Sequence, residues 1–230
     1  MTSSGGDPDK LDIPLIIRRS PRARRISLKI DSHSGAAVLV LPRNVSESDG
    51  VRFAAKHQHW LKSKLLELPP PIPFEDGALI PLRGQDLRVI HQPHGHGIVK
   101  KCDRELLVFG QPEHLARRLK DWLKRQARRD ISPLVTEKAA IIGQKPGLIS
   151  VRDQKTRWGS CAANGNLSFN WRLILAPSFV LEYVVAHEVA HLAEHNHSKA
   201  FWRKVGELTM FTNQGRAWLR HEGTRLHRYG

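Results

Sequence analysis

Apolar positions recur along the chain with two different periods, and the changes of period mark its parts. Over residues 15–41 the rhythm is that of strands: an LII run, ISLKI alternating with period two, a DSHSG turn signal at 31–35, and the run AAVLVLP. A three-stranded meander is predicted. Residues 46–68 shift to helical spacing through Val51, Ala54, Ala55, Leu61, Leu65 and Leu68, and the PPPIP run at 69–73 then stops the helix. Short strands are predicted around 79–82, 87–91, 98–102 and 105–109, punctuated by Gly77, Gly84, Gly95, Gly97 and Gly110. Antiparallel pairing is expected throughout this region.

Pro112 opens a long helical stretch with Leu115, Leu119, Trp122 and Leu123 on one side and a crowd of arginines and lysines around the rest. Pro133 inside it predicts two helices or a kink. After Gly147 the strand period returns in ISVRD, followed by a loop at 154–160 and a hairpin signal, Asn164-Gly165, before LSFNW. Pro177 and Ser178 begin another helix. The resulting expectation is an α+β chain: a flexible N-terminus over 1–12, a β-rich part with one helix over 13–110, and a helical part with a short β-hairpin over 111–230.

With 40% of its residues hydrophobic, the chain has enough apolar material for a sizeable core despite being 26% charged. The first ten residues lack the basic start and apolar run of a secretory signal, and no window approaches 18 consecutive apolar residues. No membrane association and a cytoplasmic location are expected. Cys102 and Cys161 have no C-x-x-C partner, which argues against a disulfide framework and for reduced thiols. Lysine plus arginine outnumber aspartate plus glutamate 37 to 22, a net charge of +15, so a non-specific nucleic-acid partner is a second expectation. The runs Arg18, Arg19, Arg22, Arg24, Arg25 and the basic cluster between 117 and 129 would supply it.

The sharpest signal is VVAHEVAHLAEHNHSKAFW at 184–202, which sets His187, Glu188 and His191 in H-E-x-x-H spacing. On a helix, residues four apart are separated by about 40° around the axis and about 6 Å along it, so both imidazoles face one ion. Glu188, about 100° away, is placed to act on a water at the metal. Val180, Leu181, Val184, Val185, Val189 and Leu192 make the helix apolar almost all round, and ionisable groups buried there need a partner such as a cation. A third ligand must come from His195 or His197. Continued helix would put His195 about 12 Å beyond His187, whereas ligand atoms around one zinc lie about 3.3 Å apart. If Asn196 stops the helix and Ser198 caps the next one, the turn swings His197 back; His197 is therefore chosen, with His195 as the alternative.

The run RWGSCAANGNLSFNWRLILAP at 157–177, followed by 184–202, resembles the YgjP-like metallopeptidase family, related to SprT-like and minigluzincin-type zinc proteases. RRSPRARRISLKI at 18–30 and HWLKSKL at 59–65 extend the similarity over most of the chain. The resemblance implies a zincin-like C-terminal part, Zn2+ held by His187, His191 and His197, and Glu188 as catalytic residue. The reaction expected is hydrolysis of peptide bonds in a protein or peptide substrate by a metal-activated water, with Glu188 as general base. Trp158 and Ser160, on the hairpin just upstream, are candidate substrate-binding residues. Tyr183, His221 and Arg157 are candidates for stabilising the oxyanion.

Two other readings compete: a nucleic-acid-binding protein whose metal site is structural or vestigial, and a metal-dependent hydrolase of a non-peptide substrate. His91, His94 and His96 fall in a Gly/Pro-rich turn and read as a solvated hairpin loop. Trp60, Trp122, Trp171, Trp202 and Trp218 sit at periodic apolar positions and read as core.

Overall fold

The computed structural model describes residues 13–230; the N-terminus expected to be flexible, 1–12, lies outside the described residues. Two compact units divide at 70/71, within the proline run. The 110/111 junction expected from the sequence lies inside the second unit, because the strands before it and the helices after it share one apolar core. Ile80, Leu87, Val89, Leu106 and Val108 pack in the same cluster as Leu119, Leu123, Val184 and Val185.

In the first unit, β1 (Leu15–Arg19), β2 (Ser27–Asp31) and β3 (Ala36–Leu41) form a sheet in the order β1-β3-β2. β1 runs parallel to β3 and β2 antiparallel to it, so the predicted meander is corrected. AAVLVL is buried at all but one position, while LIIRR and SLKID carry exposed charges, so β3 gains most from the centre and its neighbours tolerate the edges. The single helix read over 46–68 is divided at His57 into α1 (Glu47–Lys56), capped by Ser46, and α2 (Gln58–Leu66). Gly50 lets α1 lie against β3, since a Cβ there would meet Leu41 at 2.5 Å.

The second unit begins with β4 (Leu79–Leu82), β5 (Gln85–Gln92), β6 (Val99–Cys102) and β7 (Glu105–Phe109), ordered β4-β5-β7-β6. β4–β5 and β6–β7 are hairpins, the first turned at Arg83 and Gly84, both with positive φ. The two hairpins join through a parallel β5–β7 pair, which corrects the all-antiparallel expectation. A 3-10 turn at Pro112–His114 leads into α3 (Leu115–Ile141), one continuous helix of 27 residues. Pro133 does not divide it: it lies on the exposed side, where water can satisfy the carbonyl that its missing N–H releases. Arg83 binds Asp130 of α3 through two hydrogen bonds, 2.7 and 2.8 Å, tying the first hairpin to this helix.

The last part holds β8 (Ile149–Arg152), β9 (Gly159–Cys161) and β10 (Leu167–Asn170), with β10 central, parallel to β8 and antiparallel to β9. Gly165, at φ 78°, closes the β9–β10 hairpin at the predicted Asn164-Gly165 turn, although β9 begins inside the stretch read as a loop, 154–160. After a 3-10 turn at Trp171–Leu175 come α4 (Ser178–Ala190), α5 (Lys199–Leu208) and α6 (Thr212–Leu226). α4 packs on α3, α5, α6 and β9, which explains why it is apolar nearly all round. The buried Lys138 ammonium of α3 donates to Glu182 of α4 (3.1 Å) and to the Leu208 carbonyl closing α5 (2.7 Å), fixing these helices together. Of the five tryptophans read as core, Trp171 is fully buried, Trp122, Trp202 and Trp218 are half-buried, and Trp60 is 43% exposed. No described helix is long and apolar enough to cross a membrane.

Candidate metal centre and active site

α4 ends at Ala190, six residues before the predicted stop at Asn196. The amides of Leu192 and Ala193 bond back to Val189 and Ala190 at i−3 spacing, so the chain tightens and turns off the helix axis. That turn carries His197 back over His187. Ser198 then caps α5 as expected, its hydroxyl accepting from the Phe201 amide at 3.3 Å.

His187, on the last turn of α4, His191, at its C-cap, and His197, in the following turn, bring one nitrogen each to within 4.8 Å of one another. Nε2 of His187 and Nε2 of His197 are 3.1 Å apart. His195 is exposed and does not belong to the cluster. His191 Nδ1 lies 2.9 Å from the Glu194 carbonyl, which can only accept, so Nδ1 carries the proton and the Nε2 lone pair is left for the cluster. Burial, with the neighbouring His191, His197 and Arg216, pushes the His187 imidazole down to about 4, and burial also lowers His191. Imidazoles converging on one point are a donor set suited to a divalent transition metal. Buried His187 Nδ1 has no hydrogen-bond partner among the described residues.

Glu188 is 7% exposed and faces β9. A Cβ added to Gly159 would stand 2.4 Å from Glu188 Cγ, so the carboxylate occupies space that any other residue at 159 would fill. Burial pushes this carboxyl up to about 7, against the pull of Arg157. Ser160 and Cys161 follow on the same strand, and Trp158 precedes it. Cys161 is a free thiol raised by burial and by the Glu188 charge. Trp158 is half-buried and stacks on His227 with ring centroids 4.6 Å apart.

The three oxyanion candidates separate. Tyr183 lies one helical turn before His187, ring centroids 5.9 Å apart, and burial keeps its phenol protonated. The charge of Arg157 reaches Glu188. His221 lines a different cavity, of about 590 Å³, with Trp218, Glu222 and Arg225. His91 is occupied elsewhere, its Nε2 lying 2.6 Å from the Gly110 carbonyl, and neither it nor His94 nor His96 joins the cluster.

Five residues that shape the site were not assigned to it from the sequence. Phe201 stacks on His191 (4.4 Å) and Trp202 approaches His187 and His197 (5.8 Å each), walling the imidazoles. The Arg216 guanidinium stands 4.7 Å over the Trp202 ring. Gly159 and Gly215 admit Glu188 and Tyr183, respectively, by lacking a side chain. Gly159 went unmarked because 154–160 reads as a loop, whereas the structure starts β9 at Gly159.

No curated protein matches the chain. Among solved structures, the crystal structure of the metallopeptidase zymogen of Pyrococcus abyssi abylysin matches at 23% identity, covering 40% of this chain and 95% of that one, with a TM-score of 0.35. The family described as "YgjP-like, metallopeptidase domain" matches residues 24–222 and so covers much of both compact units, with the histidine cluster and Glu188 inside the match. The chain belongs to the YgjP-like metallopeptidase family and is a metal-dependent peptidase.

Proposed function

We propose that the protein is a zinc peptidase whose ion is held by His187, His191 and His197 and whose general base is Glu188. The observation that carries this reading is the convergence of the three imidazoles, at 4.8 Å or less, with a buried carboxyl on the residue next to His187 in α4. Three convergent imidazole nitrogens suit a catalytic zinc, which when bound would supply a Lewis acid for the scissile carbonyl and acidify water. Glu188, held near neutrality by burial, takes the proton of the attacking water and returns it to the leaving amine. Gly159 and the apolar flank of α4 hold that carboxylate in one place. Tyr183 and Arg157 are the donors at hand for the developing oxyanion. Trp158 and Ser160, flanking Gly159, line the approach for an extended substrate.

The test is metal analysis of the purified protein together with cleavage of an unfolded protein by wild type and Glu188→Gln. About one zinc per chain in both, with a loss of about 10² to 10⁴-fold in rate for the variant, is expected. Equal turnover in the two proteins would remove Glu188 as the base, and loss of zinc in the variant would make it a ligand or a structural support.

A further inference from the structure

Arg216, Arg220 and Gly223 of α6 and His227 at its C-cap follow one another at intervals of four, three and four, so they fall within about 60° of arc around the helix. Three of them show what that stripe faces. Arg216 covers Trp202, which approaches His187 and His197. Gly223 and His227 carry Trp158, whose ring stacks on His227 and would lie 3.3 Å from a Cβ at Gly223. Trp158 adjoins Gly159, which touches Glu188. The stripe thus borders the site from the imidazoles to the carboxylate, with Arg220 between the two tryptophan contacts. Both arginines of the stripe are exposed, and no carboxylate among the described residues forms an ion pair with either of them.

We propose that Arg216 and Arg220 make this side of the cleft a receptor for acidic peptide segments, binding Asp or Glu side chains next to the scissile bond. This rests on the peptidase reading of the same site. A guanidinium offers a planar fork matched to a carboxylate, and one already stacked on an indole is partly preorganised. Single-stranded nucleic acid is the other polyanion to consider, but it binds by stacking bases on open aromatic rings. Here Trp158 and Trp202 already carry His227 and Arg216 against them.

The experiment uses zinc-loaded protein and peptides identical except for Glu, Gln or Lys at the positions flanking the cleaved bond. The Glu peptide should exceed the Lys peptide in kcat/KM by about tenfold or more at low salt, with the gap narrowing as salt rises. Arg216→Gln and Arg220→Gln should each lower the Glu-to-Gln ratio by about three- to tenfold, with zinc content unchanged, and Arg216→Lys should recover only part of it. Arg203→Gln, the same charge loss at a side chain 74% exposed on α5, should leave the ratio alone.

Equal rates on Glu and Lys peptides would overturn the proposal while leaving the peptidase reading standing. Binding of a fluorescent Glu-rich peptide to Glu188→Gln protein, read by anisotropy, separates the two claims. If nothing is cleaved yet this peptide binds in an Arg216-dependent way, the peptidase reading fails and the acidic receptor stands. Absence of such binding, or tighter binding of a single-stranded oligonucleotide that displaces the peptide, would sink it.

Discussion

Gly159 of β9 and Glu188 of α4 are in contact, so close that a Cβ on the glycine would lie 2.4 Å from Glu188 Cγ and 2.6 Å from Oε1. The strand and the metal-site helix are thereby set at a separation that only glycine permits. Gly159→Ala must push the carboxylate aside or part the two elements, and a displacement of about 1 Å at a reacting group is enough to cost about 10²-fold in rate. The expected outcome is a fall of that order in kcat with zinc content unchanged, measured on one preparation. Wild-type turnover from this variant would show that Glu188 needs no such confinement.

The imidazoles make a separate prediction. His187→Ala, His191→Ala and His197→Ala should each weaken zinc binding by more than about 100-fold, because loss of a supporting group alone costs 10- to 100-fold and these supply the ligand atoms themselves. His195→Ala should leave affinity unchanged, since that side chain stands outside the cluster. Competition against a chelator of known affinity would measure all four, and retention of zinc by His197→Ala with its loss from His195→Ala would reverse the assignment.

Ser198 links local helix chemistry to the same site. Its hydroxyl caps α5 immediately after His197, so Ser198→Ala should cost about 1 kcal/mol, a fall in Tm of roughly 2 to 4 °C for a chain of this size. Because the cap fixes the turn that delivers His197, zinc affinity should also fall, by about tenfold, as expected for a supporting group. Calorimetry of the metal-free protein and chelator competition of the loaded one measure the two effects; a stability loss without any change in affinity would detach the cap from the site.

Local pattern made some of this structure legible and left the rest dark. β4 and β7 lie at 79–82 and 105–109 as the alternation indicates, and Ser198 caps α5, because strand alternation and capping are properties of a few adjacent residues. H-E-x-x-H was readable for the same reason: one helix turn contains it. Strand order was not, since β1 and β3 are separated by a whole strand and pair through burial of AAVLVL, which no neighbouring residue announces. The helix end at Ala190 depends on i−3 bonds in Leu192 and Ala193, residues that could equally have continued the helix. Gly159 and Arg216 acquire their meaning only when β9 and α6 are brought against α4 and α5.

The last prediction concerns a charge that the fold buries. Arg172 is 1% exposed; it donates to Asp153 and, at 3.1 Å, to the Tyr229 carbonyl, and its guanidinium lies 4.6 Å from the Trp171 ring centroid. Lys120 Nζ approaches the other oxygen of Asp153 at 2.7 Å. Partial burial would raise the Asp153 carboxyl, yet hydrogen bonds from Lys120 and Arg172 outweigh it and hold the group well below the usual carboxylate range. A carboxyl with a depressed folded value contributes stability that is complete above its unfolded value of about 3.9 and is lost as pH falls through the folded one. Asp153→Asn removes the countercharge of a buried guanidinium, which should cost about 3 to 5 kcal/mol near neutral pH. Asp121→Asn, losing a 3.9 Å surface pair with Arg117, should cost less than about 1 kcal/mol. Urea unfolding of wild type and Asp153→Asn should therefore show a gap that is constant from pH 7 down to about 5 and shrinks below about pH 4, as Asp153 of the unfolded wild-type chain takes up a proton that the folded state does not. A gap that widens on acidification, or no gap at pH 7, would mean that Arg172 is held by Tyr229 and Trp171 without need of Asp153.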